Sequence, residues 1–236
     1  MKLKHAKPHG FTLIELLVVM TIIAVLATVG FSAFGKARET ANRTAATSNM
    51  KQIHLAMSGY ASDNNDAFPD KKGAAASDVA ATTANQAFRK LIPGYLTDER
   101  TFQVKGSPSS RHNDGNTDQE SDRLAAGENH YAVGADMTAT SNGNYPLIWE
   151  TGTSGDETYA PSWTKGNRDV WGGSWSDGSV LIITVSGGVQ QKKLDLPSSA
   201  NEGESATIVK DGQRTIFEQR KNANSNARGL GPERKE

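Results

Sequence analysis

His9-Gly10-Phe11-Thr12-Leu13-Ile14-Glu15-Leu16-Leu17-Val18-Val19-Met20 opens an apolar run that continues to Gly35. Residues 16–35 carry no charge. Roughly 20 residues at about 1.5 Å each reach about 30 Å, the hydrocarbon thickness of a bilayer. A lone segment in lipid must satisfy its own backbone hydrogen bonds, so the run predicts a helix. Glu15 breaks the pattern near its start. A carboxylate is costly inside a bilayer, which marks Glu15 as a functional residue. A short leader with Lys2, Lys4 and Lys7 comes before the run.

The unbroken string Gly10-Phe11-Thr12-Leu13-Ile14-Glu15-Leu16-Leu17-Val18, behind that basic leader, resembles the signal of type IV pilins and type II secretion pseudopilins. The resemblance implies that a prepilin peptidase cuts between Gly10 and Phe11 and that the new amine of Phe11 is methylated. It also implies that Glu15 pairs with the Phe11 amine of a neighbouring subunit during filament assembly. Two plainer readings compete. A secretory signal peptide could be cut after Ala27, but it has no use for Glu15 in its apolar core. A simple membrane anchor explains the length, but neither Glu15 nor the Gly10-Phe11 junction. Lipoprotein anchoring is excluded, because the chain has no Cys.

Composition narrows the remainder. Among 236 residues, 26 Lys and Arg balance 26 Asp and Glu. Losing Lys2, Lys4 and Lys7 with the leader leaves 23 basic against 26 acidic side chains, a formal charge of −3. That is no nucleic-acid footprint, which requires a basic face. Mean hydropathy is −0.55 despite the apolar run, so the rest of the chain is strongly polar. Many type IV pilins close their C-terminal region with a disulfide. This chain cannot, which points towards the pseudopilin type. Lys36, Arg38 and Arg43 after the run nearly balance the leader's lysines, so charge does not orient the helix. The resemblance places the leader in the cytoplasm and the C-terminal part outside.

Beyond Gly35, Ala46, Met50, Ile53, Met57 and Tyr60 recur at spacings of three and four, which puts them on one helical face. Residues 36–60 therefore read as an amphipathic continuation, with its least stable turn in the Thr- and Asn-rich residues 40–49. The helix should stop within residues 61–70, where Asn and Asp compete for backbone hydrogen bonds and Pro69 disfavours helix at Phe68. The Tyr60-to-Pro69 string, and Trp175 with Ser176-Asp177-Gly178-Ser179-Val180, are similar to a group of bacterial pseudopilin-like proteins. Asp63, Asp66 and Asp70 have the ligand chemistry for calcium but lack EF-hand spacing, its Gly and its closing Glu, so a solvated cap is the favoured reading.

A short helix is expected over residues 85–92. Tyr95, Leu96, Phe102 and Val104 could supply a strand, and residues 106–127 read as a long polar loop. Strands are expected at 131–133, 145–150, 180–185 and 189–196, with pairs at 207–209 and 215–217. Trp171 to Trp175 is expected to pair with 180–185 about an Asp177-Gly178 turn. The fold class is α+β, a long N-terminal helix packed on a small antiparallel sheet. The divisions are 1–10 leader, 11–35 transmembrane and assembly helix, 36–60 amphipathic helix, 61–217 periplasmic domain and 218–236 disordered tail.

Catalytic chemistry is scarce. His54, His112 and His130 survive loss of the leader, and none stands with a Ser and a carboxylate as a nucleophilic set. No phosphate loop or zinc spacing occurs. Trp149, Trp163, Trp171 and Trp175 suit either a sheet core or a surface for stacking sugars. The expectation is therefore a structural subunit and not an enzyme, with no cofactor beyond the calcium weighed above. It would sit once across the bacterial inner membrane, domain in the periplasm, and assemble into a pseudopilus or pilus of a type II secretion-like system. Its partners would be prepilin peptidase, the inner-membrane assembly machinery, identical or related pseudopilin subunits and the membrane, with no nucleic acid. The alternative is a membrane-anchored periplasmic module that binds a polysaccharide or an exported protein.

Overall fold

The computed structural model describes residues 12–71, 73, 79–105, 113–118, 123–150, 163–164, 175, 177–195, 205–208 and 229–230. The chain divides into two compact units, Met1–Ala41 and Asn42–Glu236. Helix α1 spans Leu13–Asp63, 51 residues. It continues unbroken through the Thr- and Asn-rich stretch expected to be weakest. There the hydroxyl of Thr40 donates to the Lys36 carbonyl and that of Thr47 to the Arg43 carbonyl. Such bonds let small polar side chains sit in a helix without competing for its N–H groups.

In the second unit, Ala46, Met50, Ile53, Met57 and Tyr60 are buried together, and Ala56 and Ala61 join them. The apolar stripe is where its spacing put it. The helix ends as its sequence dictates. Asn65 and Asp66 adopt positive φ of 55° and 60°, a conformation Asn and Asp tolerate better than most residues. The Asp66 N–H then donates to the Ala61 carbonyl and the Asn64 side chain to the Tyr60 carbonyl, which satisfies carbonyls that the last turn leaves open.

A short helix α2, Ala84–Arg89, follows, capped by Thr83, which accepts from the Gln86 N–H. Residues 95–104 do not form the expected strand. Glu99–Phe102 is a 3-10 turn, because Asp98 accepts from the Arg100 N–H and caps a helical turn there. Phe102 is still buried, its ring 4.9 Å from that of Phe88.

The strands are β1 Tyr131–Gly134, β2 Pro146–Glu150, β3 Trp163–Thr164, β4 Ser179–Thr184, β5 Val189–Asp195, β6 Ser205–Ile208 and β7 Gly229–Leu230. They form an antiparallel sheet in the order β3-β6-β5-β4-β2-β1-β7. β1, β2 and β4 are buried along their whole length. This explains why residues 180–183 read as a continuous apolar run and not as an alternation. One cluster unites Met50, Ile53 and Met57 of α1 with Phe88 and with Tyr131, Ile148 and Ile182 of the sheet. The class is α+β, as expected.

The β4–β5 hairpin turns at Ser186-Gly187-Gly188. Gly187 has φ +82°, and a Cβ there would come within 3.0 Å of the His54 ring. Only glycine fits both constraints. Two sequence expectations need correction. Gly229 and Leu230, assigned to a disordered tail, pair with Gly134 and Val133, and Leu230 is buried. Both edges of β4 are taken by β2 and β5, and Trp175, the described end of the expected Trp171-to-Trp175 arm, lies in no strand. Residues 171–174, the outer part of that expected arm, and 215–217 lie outside the described residues, as do most of 218–236.

Candidate functional site

Thr12 and Glu15 shape the start of α1. The Thr12 N–H and hydroxyl both donate to Glu15 Oε2, at 2.8 Å and 2.7 Å, and the Glu15 N–H donates back to Thr12 Oγ1 at 3.4 Å. This is a reciprocal capping box, in which a Thr before the helix and a Glu three residues on satisfy each other's open donors. The Thr12-x-x-Glu15 spacing was readable in the sequence, and the reading of Glu15 as an assembly residue passed over it. Gly10 and Phe11 lie outside the described residues.

Behind the cap, Leu13 (88% exposed), Ile14, Leu16, Leu17, Val18, Val19 and Met20 are all exposed, and so are Val25 and Leu26. Consecutive exposed residues on a helix cover every face, so this segment is apolar all round. A helix of that kind is stable only when something apolar surrounds it, either lipid or other protein. Among the described residues no helix is long and apolar enough to cross a membrane. The side chains of residues 29–33, in the middle of the run, lie outside the described residues.

The other candidates resolve into structure. Trp149 and Trp175 are buried, so these two are core and not a stacking surface; the side chains of Trp163 and Trp171 lie outside the described residues. The Trp175 Nε1–H donates to Glu150 Oε2 at 2.7 Å, and the Leu181 N–H donates to the same oxygen at 2.9 Å. The Arg43 guanidinium lies 5.1 Å from the Trp175 ring centre and 3.0 Å from Asp177 Oδ1. Burial pushes the Glu150 carboxyl up to about 8, against the two hydrogen bonds and Arg43, which pull it down.

His54 Nε2 is 2.8 Å from the Val185 carbonyl oxygen, tying α1 to the end of β4. His130 is buried edge-on to Tyr131. His112 lies outside the described residues. Asp63, Asp66 and Asp70 do not converge. Asp63 accepts from the Tyr95 hydroxyl, Asp66 is exposed in the turn, and buried Asp70 accepts from the Asp136 N–H at 2.7 Å. Burial pushes the Asp70 carboxyl up to about 6. The calcium reading of this trio is therefore withdrawn, because its carboxylates serve separate turns.

Residues 6–31 match the family model of the prokaryotic N-terminal methylation motif. This is the prepilin-type signal of type IV pilins and pseudopilins, and it spans Gly10, Phe11 and Glu15. No curated protein and no solved structure matches the chain. The motif supports a protein of the type IV pilin-like or pseudopilin class. It implies processing by prepilin peptidase and assembly with pilin-like subunits, and it fits an inner-membrane anchor.

Proposed function

We propose that this chain is a structural pseudopilin-like subunit and not an enzyme. It enters the bacterial inner membrane by its apolar helix, with residues 61–217 in the periplasm. Prepilin peptidase cuts between Gly10 and Phe11, and the Phe11 amine is methylated. The mature chain then joins identical or related subunits in a periplasmic pseudopilus or pilus of a type II secretion-like system, with the inner-membrane machinery driving the transfer.

One observation carries this reading: a helix apolar on every face stands directly behind a prepilin-type signal. Lipid covers such a helix before assembly, and neighbouring helices cover it afterwards. The two environments are close in apolar solvation, so moving from one to the other costs little in hydrophobic free energy. A specific contact must then decide when and in what register the helix leaves the membrane, which is the role left to Glu15. The anchored binding module draws no support from Trp149 and Trp175, both of which are buried.

Gly10→Leu tests the processing step. A branched side chain at the cut should leave the precursor uncut in the membrane fraction. On immunoblots of cells with an active prepilin peptidase, the variant should run as one slower band and the wild type as a faster one. Normal maturation of Gly10→Leu would remove the basis of the proposal.

A further inference from the structure

Three carboxylates far apart in sequence meet in the second unit. Glu99 opens the 3-10 turn, Asp114 lies in the loop of residues 113–118, and Glu128 precedes β1. One oxygen from each lies within 4.8 Å of the other two. Glu99 is fully buried and Glu128 is 2% exposed, while Asp114 is exposed.

Their hydrogen bonds do not account for this arrangement. Glu99 Oε2 accepts from the Leu124 N–H and Glu128 Oε2 from the Ala125 N–H. Asp114 Oδ1 accepts from the Asn116 N–H. Glu99 Oε1 is buried with no N–H donor to bond it, and the group that stands against Glu99 is the Asp114 carboxyl. The nearby Arg100 guanidinium reaches the Asp114 carbonyl oxygen at 3.5 Å, and among the described residues no ion pair is formed with any of the three carboxylates. Like charges this close, two of them out of water, repel strongly unless a proton or a cation lies among them. An oxygen with no donor in such a cluster points to a missing partner.

We propose that Glu99, Asp114 and Glu128 form a binding site for a calcium-class divalent cation. The donors are all carboxylate oxygens, which suit hard cations and not the softer metals that favour Cys or His. Oxygens around one calcium at about 2.3–2.6 Å lie at most about 5 Å apart, so the observed separation fits one ion. Magnesium demands a tighter octahedron and should bind more weakly. The loop is already shaped to present Asp114. The Asn113 side chain donates to the Glu99 carbonyl and accepts from the Gly115 N–H, and Arg123 Nε–H donates to the Thr117 carbonyl. The ion would fasten this loop to the 3-10 turn and to the segment that leads into β1.

The test uses the full chain in detergent, freed of divalent ions with a chelator. Calcium is then titrated while the thermal midpoint and the heat of binding are followed, with wild type beside Asp114→Asn and Glu99→Gln. Calcium should raise the wild-type midpoint by several degrees, with a smaller rise in magnesium. Asp114→Asn, at an exposed position, should keep the ion-free midpoint and weaken calcium binding on the order of tenfold or more. Glu99→Gln should melt at or above wild type without calcium, because the repulsion is relieved, and should not respond to calcium. A wild-type midpoint indifferent to calcium would overturn the site. So would an equal calcium response in all three proteins, which would place the ion elsewhere.

Discussion

Glu15→Val is expected to be inserted and processed as wild type and yet to fail in fibre assembly. The substitution makes the apolar helix more apolar, so membrane entry does not suffer. It leaves Gly10-Phe11 intact, so the cut should proceed. What it removes is the carboxylate. In a single chain that carboxylate caps its own helix through Thr12. In a fibre, the proposed partner is the Phe11 amine of the next subunit, freed by cleavage and still protonated after methylation. In low dielectric such a pair attracts far more strongly than in water.

Capping and pairing are separable. Glu15→Gln keeps an acceptor for the Thr12 N–H and hydroxyl, as a capping box accepts Gln as well as Glu, but it has no charge. If pairing decides assembly, Gln should fail as Val does, with crosslinked multimers reduced on the order of tenfold or more. If Gln assembles normally and Val does not, the cap decides and the pairing is wrong. Equal assembly of Val and wild type, with processing intact, would reject both and shift weight to the anchored binding module.

The largest effect on stability is expected at Glu150. This residue is fully buried on β2, opposite Tyr131 of β1, and one of its oxygens holds both the Trp175 indole N–H and the Leu181 N–H. Glu150→Ala leaves both donors unpaired, at about 1–3 kcal/mol each, and opens a cavity that costs further. The total, on the order of 5 kcal/mol, is a large share of the roughly 5–15 kcal/mol that holds a domain folded. Glu150→Gln keeps the accepting oxygen and should fold.

The same site sets a pH dependence. Burial holds the folded carboxyl at about 8, above its ordinary value of 4.5. As pH rises from 4.5 the unfolded chain loses this proton while the folded chain keeps it. The folded state therefore binds more protons, and stability falls with pH until about 8, where the slope ends. Asp70, held at about 6, adds a slope of the same sign at lower pH. The window from 6 to 8 therefore belongs mainly to Glu150. Melting of the detergent-solubilised chain should show wild type losing stability across that window and Glu150→Gln losing less, so that the difference between them moves in favour of Gln as pH rises from 6 to 8. Parallel curves for the two proteins would show that Glu150 is already ionised in the fold.

What could be read in the sequence depended on how local each signal was. The stripe from Ala46 to Tyr60 sets five apolar residues at four successive helical spacings, a local pattern that needs no tertiary context to be read. The strands at 131–134 and 146–150 and the Ser186-Gly187-Gly188 turn carry apolar runs and a glycine that announce themselves. The 3-10 turn was missed because Phe102 and Val104 look like alternate strand positions, while the capping Asp98 is a single residue. β7 was missed because two residues, Gly229 and Leu230, hold no pattern of their own. Their pairing with β1 exists only once the chain has folded back. Glu99, Asp114 and Glu128 stand about 15 residues apart, and no motif spacing links them; the fold alone brings their oxygens together. Glu15 was legible as special from its charge in an apolar run, while its bond to Thr12 follows a local capping rule that the Thr12-x-x-Glu15 spacing also carried.

The measurement that bears most directly on a prepilin-type subunit is the N-terminus of the mature chain. Intact mass and N-terminal sequencing of protein recovered from membranes of cells with an active prepilin peptidase should find a chain that begins at N-methylated Phe11. A chain that begins at Thr28 would mean cleavage as an ordinary secretory signal, and one that retains Met1 would mean a plain anchor; either would contradict it.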